Sequence, residues 1–410
     1  MTKETDGPRR IDKLIDRALS PVRGWSPRRK VLVLLVIAII VYGIMIADTW
    51  LADPNASYDI DIYRERTQAI LDGELLYRDV HTETPPLINY FLVPAQVVGG
   101  AEHYWVWGAY QTAFAFLLSA MMYLVLRRYD DVRAFMAAFL TLLCPFLIDE
   151  THIGEDGALV AFIFFSALLL MLLEHRRYAA FAIAIGIWTK MWSVLLLPTQ
   201  FLRSPSWKDR GVLVLIVLAV TLAVTVPFLI LCPEEFLEFL EFYFLGDPER
   251  SSGGISMWNF LSVGGYGLPE ALELFLVLGS LLVGYLFAYW RKMGVWQSVT
   301  LVVVVFIIFY PKMHMGYYIL PTVLLTVWGA RDWRVAILPY LAFIPLSLAS
   351  GFLPDQDSTV SNMFEDSWII GLMLSLAGTL LFILAAWLSL PQRTFLEGTP
   401  PQGLEVEARP

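Results

Sequence analysis

Residues 27–47 decide what kind of fold this chain takes: Pro27-Arg28-Arg29-Lys30, followed by Val31-Leu32-Val33-Leu34-Leu35-Val36-Ile37-Ala38-Ile39-Ile40-Val41-Tyr42-Gly43-Ile44-Met45-Ile46-Ala47. A helix that crosses a bilayer needs about 20 mainly apolar residues, and this run approaches that length. Cations precede it and no small-residue cleavage motif follows it. It therefore reads as an anchor that stays in the mature chain, not as a signal peptide. Runs of the same kind recur at 105–126, 134–148, 158–173, 211–232, 271–290, 295–310, 315–330, 335–351 and 368–390. The expected fold is all-α: a polytopic integral membrane protein of about 10–12 transmembrane helices, with outer-face loops that carry short surface helices.

Composition agrees, because 57% hydrophobic and 16% charged residues leave more apolar surface than a soluble globule can bury. Lys and Arg stay on the cytoplasmic side of short loops. That rule places the N-terminus, Arg127, Arg128, Arg133, Arg176, Arg177, Arg203, Lys208, Arg210, Arg291, Lys292, Arg331, Arg334 and the C-terminus inside. Only Arg64, Arg66, Arg78, Lys190, Arg250 and Lys312 remain outside or within the membrane. The outer face is then strongly acidic, which argues against nucleic acid as a partner there.

The resulting layout is a basic cytoplasmic segment 1–30, a catalytic transmembrane half 31–232 with a first outer loop 48–104, an outer acidic loop 233–270, a C-terminal transmembrane half 271–390, and a disordered cytoplasmic tail 391–410. The count fails at residues 178–202, which are too short for two full spans and of the wrong parity for one. A pair of short helices meeting near Thr189-Lys190, dipping across and returning, restores it; irregular backbone at depth needs protein or water around it. The rival, a single span, reverses every later loop. Cys144 and Cys232 are expected as two free apolar thiols.

Chemistry is expected on the outer side. Asp59 and Asp61 lie just beyond the first helix, and two near carboxylates raise one another's proton affinity, which suits a general base. An acidic surface loop is the plainer alternative. Lys190 interrupts an apolar segment at a cost of about 2.5–3.5 kcal/mol on insertion scales, so it is either functional or paired with an acid. Lys312 and His314 sit at the outer end of another span, and Arg250 lies in a Gly- and Ser-rich loop. The cluster Asp149-Glu150-Thr151-His152-Ile153-Gly154-Glu155-Asp156 offers oxygen and imidazole ligands, so a divalent metal is possible, but no motif forces one and no metal or cofactor is assigned.

The order Asp59-Ile60-Asp61-x-Tyr63, then Ala69-Ile70-Leu71-x-Gly73-x-x-x-Tyr77-Arg78-Asp79, then Thr84-Pro85-Pro86-Leu87-x-x-Tyr90 resembles the first outer loop of the GT-C superfamily of membrane glycosyltransferases, mannosyltransferases most of all. The likeness covers 59–90 and extends more loosely to Gly186-Ile187-Trp188-Thr189-Lys190 and Tyr310-Pro311-Lys312-Met313-His314. It implies transfer of a hexose, mannose first, from a polyprenyl- or dolichyl-phosphate carrier to a glycan, lipid or glycoprotein acceptor at the extracytoplasmic face of the cell membrane. By the same resemblance Asp59 or Asp61 is the base in an inverting attack. Lys190, Lys312, His314 and Arg250 hold the donor phosphate, and Tyr63, Arg78, Glu150 and Glu155 contact acceptor or sugar. Two readings compete with it: a secondary transporter or flippase for an anionic lipid or solute, and a structural subunit without catalysis.

Overall fold

Caps and prolines written into the sequence mark where the helices begin. The structure is a computed structural model that describes residues 20–52, 59–245, 254–329, 332–353, 367–392 and 394–396. It contains α1 (Pro27–Ala52), α2 (Ile60–Leu71), α3 (Pro86–Ala95), α4 (Trp105–Leu126), α5 (Asp131–Leu142), α6 (Pro145–His152), α7 (Gly157–Leu172), α8 (Arg176–Thr189) and α9 (Leu197–Arg203). It continues with α10 (Trp207–Leu231), α11 (Pro233–Leu245), α12 (Met257–Val263), α13 (Glu270–Trp290), α14 (Val295–Phe309), α15 (Ile319–Gly329), α16 (Trp333–Ser350) and α17 (Ser367–Ser389). Side chains of Asp130, Ser206, Ser256 and Asp332 accept from the first free amides of α5, α10, α12 and α16. Pro86 and Pro145 open α3 and α6, where a missing N–H costs nothing.

Among the described residues, six helices are long and apolar enough to cross a membrane: α1, α4, α10, most of α13, α16 and α17. The α5–α6 pair qualifies as one bent span, and three shorter apolar stretches, Gly157–Leu172, Val295–Phe309 and Met315–Gly329, run beside them. Only 17% of the apolar window of α10 is buried, whereas every residue of α15 is, so α10 faces lipid and α15 forms the bundle centre. Where helices touch, small residues let them close: a Cβ on Gly378 of α17 would lie 2.4 Å from Leu346 Cγ of α16.

The expected unbroken span over 134–148 is instead bent by 44° between α5 and α6. The break frees the Leu142 carbonyl, and the Tyr42 hydroxyl of α1 donates to it at 2.9 Å, so no polar group is stranded at depth.

All the spans run between two ends of unlike charge. At one end Lys30 pairs with Asp131, the Tyr123 hydroxyl also reaches Asp131 (2.8 Å), Arg203 donates to the Met293 carbonyl, and Gln392 joins Gln297, Trp328 and Asp332. This is the basic end. The other end carries Asp59, Glu83, Asp149, Glu150, Glu155 and Asp156. α8 climbs from the basic end and stops at Thr189; Lys190 is extended; a 3-10 turn, Met191–Leu196, then leads into α9, which returns to the basic end at Arg203. Gly186 permits this return, since a Cβ there would lie 2.1 Å from Ser193 Oγ. The broken element read at 178–202 is therefore present, and Arg176 and Arg203 share an end.

Both cysteines are buried and free. Residues 1–19, the loop holding Arg250, and nearly all of the C-terminal tail fall outside the described residues.

Candidate functional site

At the acidic end a cavity of about 780 Å³ opens among α2, the segment before α3, the α6–α7 turn, the Lys190 break and the stretch between α14 and α15. Helical phase decides which α2 residues enter it. Asp59 stands just before the helix with its side chain making no capping bond, and Asp59, Tyr63 and Arg66 lie four and then three residues apart, on one face that lines the cavity. Asp61, two residues on, is turned by roughly 200°. Its carboxylate accepts from the Tyr104 hydroxyl at 2.7 Å and lies 3.6 Å from Arg64. The expected Asp59 and Asp61 pair is thus not a pair, because a helix sends i and i+2 to opposite sides. Asp59 finds another carboxylate instead: burial first, then Asp156, push its pKa up from the ordinary aspartate value.

Asp156 is the counterion of Lys190, with Nζ 2.6 Å from Oδ1 and Asp156 almost wholly buried. The Lys190 ammonium also sits 5.8 Å from the centroid of the Tyr317 ring. The next acid along, Glu155, accepts from the Tyr63 hydroxyl at 2.8 Å, and burial followed by Asp59, Glu150 and Asp156 raises its pKa. Gly154 makes this turn fit: its φ of +84° suits glycine, and a Cβ would lie 2.7 Å from Ile60 Cδ1. Glu150 packs against Gly316, where a Cβ would lie 2.6 Å from the Glu150 carboxylate.

Arg66 is buried in the wall; among the described residues its hydrogen bond to Thr84 Oγ1, at 3.4 Å, is long and its Nε has no partner. Burial pulls its pKa down, yet a guanidinium keeps its charge. Thr84 is itself held in place, by Asn89 on its hydroxyl (3.2 Å) and by the Tyr77 hydroxyl on its carbonyl (2.8 Å). Tyr77 has a φ of 73° and is wedged among Phe228, Phe236 and Phe239, with ring centroids 5.1–5.2 Å away. The Gly73-x-x-x-Tyr77 motif thus acts on the cavity through Thr84. Its neighbour Arg78, expected at acceptor or sugar, is not among the residues that line the cavity and pairs instead with Asp79, 2.8 Å away, in an exposed position.

Lys312 and His314 line the cavity from the stretch after α14. The Ile255 amide fastens that stretch through the Met313 carbonyl (2.7 Å), and the Trp258 indole holds the end of α14 through the Ile308 carbonyl (2.7 Å). Burial, then Lys190 and Lys312, pull the His314 imidazole down to about 4, so it is neutral at neutral pH and can meet an anion only as a hydrogen-bond donor. Among the described residues no three His, Cys, Asp or Glu side chains converge as a metal site.

The structure thus brings together Asp59, Tyr63, Glu150, Glu155, Lys190, Lys312 and His314, and leaves out Asp61 and Arg78. Sequence reasoning gave no site role to Arg66 or Tyr317, and named Asp156 only within an acidic cluster, not as the partner of Lys190. Arg66 was findable as the residue seven past Asp59 on a helix, and Asp156 as the acid nearest the apolar start of α7. Tyr317 carried no signal apart from its nearness to His314.

Residues 84–314 match the model of Glycosyltransferase family 87. Among solved structures the fold is similar to ArnT from Cupriavidus metallidurans, bound to undecaprenyl phosphate. The two are 15% identical, with a TM-score of 0.50 over 87% of this chain and 76% of that one. No curated protein matches the sequence.

Proposed function

The chain belongs to glycosyltransferase family 87 and has a GT-C fold, and from that premise we propose that it moves a hexose, mannose first, from a polyprenyl-phosphate carrier to an acceptor hydroxyl at the extracytoplasmic face. Membership in a glycosyltransferase family sets aside the transporter and structural-subunit readings. The observation that carries the site is that Asp59, Arg66 and the Lys190–Asp156 pair face one cavity at the end of the bundle opposite the basic loops. The positive-inside rule assigns that end to the outer side. A carrier of the polyprenyl-phosphate class is supported by the similar fold of ArnT, which is bound to undecaprenyl phosphate.

In this reading Asp59 takes the proton of the acceptor hydroxyl as its oxygen attacks the anomeric carbon, and the bond from that carbon to the phosphate oxygen breaks. One displacement inverts the centre. The carrier leaves as a phosphate monoester with one more negative charge than it brought, and cations must meet that charge. Arg66 and Lys312 are the groups we assign to it. Lys190, already neutralised by Asp156, becomes a positioning residue that keeps a second carboxylate beside Asp59. Glu150, Glu155 and Tyr63 remain for sugar or acceptor hydroxyls, and a glycan, lipid or glycoprotein fits the acceptor role.

The test is glycan mass analysis of a deletion strain complemented with wild type, Asp59→Asn, Arg66→Ala or Lys190→Ala. Wild type is expected to restore the mass of one hexose and Asp59→Asn to fail. With purified protein, Arg66→Ala is expected to raise KM for the donor about 10- to 100-fold, the weight of a charge-assisted hydrogen bond. Full restoration by both Asp59→Asn and Lys190→Ala would overturn the site.

A further inference from the structure

Two aromatic side chains in the wall of the cavity carry polar ends that the fold leaves unspent. Trp192, in the 3-10 turn after Lys190, and Tyr317, in a second 3-10 turn over Met315–Tyr318, both line the cavity. Among the described residues neither the Trp192 indole N–H nor the Tyr317 hydroxyl makes a hydrogen bond, and neither is sealed in protein as the adjacent Tyr318 hydroxyl is. A buried Trp or Tyr usually satisfies its polar end. This chain does so at Trp107, Trp188, Trp296 and Trp328, whose N–H groups go to Gly100, Thr221, Leu324 and Gln392.

The two rings are nonetheless held firmly. Trp192 meets Tyr317 and Phe306 edge to face, with centroids 4.1 and 5.6 Å away. Tyr317 is further packed by His314 (5.4 Å) and Tyr310 (6.2 Å), and the Lys190 ammonium stands 5.8 Å from its centroid. Packing therefore fixes the rings and leaves the N–H and O–H open to an occupant of the cavity. Donors fixed in advance lose little entropy when they bind.

Their chemistry selects the occupant. An indole N–H and a phenol O–H are neutral, and they suit neutral oxygens; the charge of a phosphate is better met by Arg66 and Lys312. Position narrows the choice further. Asp156, bound to Lys190 at 2.6 Å, is within electrostatic reach of both Asp59 and Tyr317, so a single ion pair separates the base from this wall. In a direct displacement the anomeric carbon lies next to the oxygen that the base deprotonates, and the ring that carries that carbon brings several hydroxyls.

We propose, on the basis of the hexosyl transfer read above, that Trp192 Nε1–H and Tyr317 Oη–H donate to hydroxyl oxygens of the transferred hexose and so set which sugar the enzyme accepts. A site built to bond a hydroxyl discriminates against the analogue that lacks it, because its own polar groups are then left unpaired.

The test pairs variants of the full-length enzyme with altered donors. Trp192→Phe and Tyr317→Phe keep a ring and delete the donor; each is assayed with mannosyl polyprenyl phosphate and with its 2-, 3-, 4- and 6-deoxy analogues. On the parent donor each variant is expected to lose about 3- to 10-fold in kcat/KM, the weight of one neutral hydrogen bond. On the single analogue that lacks the contacted hydroxyl, wild type and variant are expected to agree within about twofold, since the partner is already gone. Each comparison between donors is made within one preparation, so a lowered folded fraction cancels. No loss on the parent donor, or the same loss on all five donors, would overturn the role of these two residues and leave the hexosyl-transfer reading standing. Failure of the wild type to transfer a hexose from any of them would overturn both.

Discussion

Lys190 Nζ lies 2.6 Å from Asp156 Oδ1, at the point where α8 stops and the chain turns back on itself. Asp156 is 4% exposed and Lys190 26%, so each charge at this depth exists because the other does. Removing one partner from a buried pair costs about 3–5 kcal/mol, most of it the penalty of the charge left behind. Lys190→Ala and Asp156→Ala are each expected to lower the unfolding temperature in detergent, and Lys190→Met with Asp156→Leu to recover most of the loss. If the double variant is as unstable as the sum of the single ones, the pair is not the reason for the depth of either residue.

Asp59 and Asp61 differ in direction and should differ in consequence. Loss of a general base costs about 10²- to 10⁴-fold in rate. Asp59→Asn is therefore expected to reduce kcat by that much with little change in donor KM. Asp61→Asn breaks an exposed contact with Tyr104 and Arg64, of a kind worth about 0–1 kcal/mol, and is expected to keep kcat within about fivefold of wild type. Single-turnover rates of the two variants decide it; the reverse order would move the base to the other face of α2.

The membrane architecture was legible because apolar length and Lys/Arg placement obey strong rules, and the break at Lys190 because a charge in a short segment of wrong parity has few solutions. Asp59 was legible as well. What the sequence hid was phase: taking Asp59 and Asp61 as near carboxylates beyond the first helix put them side by side, whereas a helix that starts at Ile60 separates them and brings Arg66 in. Arg78 misled for a related reason, since it adjoins a motif whose tyrosine works through Thr84 while the arginine itself turns to Asp79. Asp156 was visible as an acid, but its role needs Lys190 34 residues away in the chain, a pairing that only the fold supplies.

Acid should switch the enzyme off earlier than an ordinary aspartate would. Burial and Asp156 raise the Asp59 pKa, so the carboxylate form is lost as pH falls through a value above the usual range of about 3.9. The acid limb of kcat/KM is expected at that raised value. Asp156→Asn, which removes the like charge and frees the Lys190 cation, is expected to move the limb to lower pH. His314, pulled down to about 4, is expected to contribute no limb near the usual imidazole value of about 6.5. A pH profile for wild type, Asp156→Asn and His314→Gln reads all three, and a limb near 6.5 that vanishes in His314→Gln would contradict the buried, neutral imidazole.

Gly186 places Lys190 without touching it. The 3-10 turn after Lys190 lies so close that any side chain at 186 meets Ser193, with a Cβ 2.1 Å from its hydroxyl oxygen and 2.7 Å from its Cβ. Overpacking of this kind costs about 1–3 kcal/mol, and the cheapest relief is to move the returning segment. That segment carries Trp192, whose ring stands 4.1 Å from Tyr317, and Tyr317 in turn lies under the Lys190 ammonium. Gly186→Ala is therefore expected to lower both the unfolding temperature and kcat, and pairing it with Ser193→Gly, which clears the clashing atoms, to restore both. Gly211→Ala, on lipid-facing α10 with nothing within 4 Å of the added carbon, is the control and should lower neither, since alanine in an open helix position is if anything stabilising. Recovery of stability without recovery of kcat in the Gly186→Ala, Ser193→Gly variant would show that this turn supports the fold but does not set the position of Lys190.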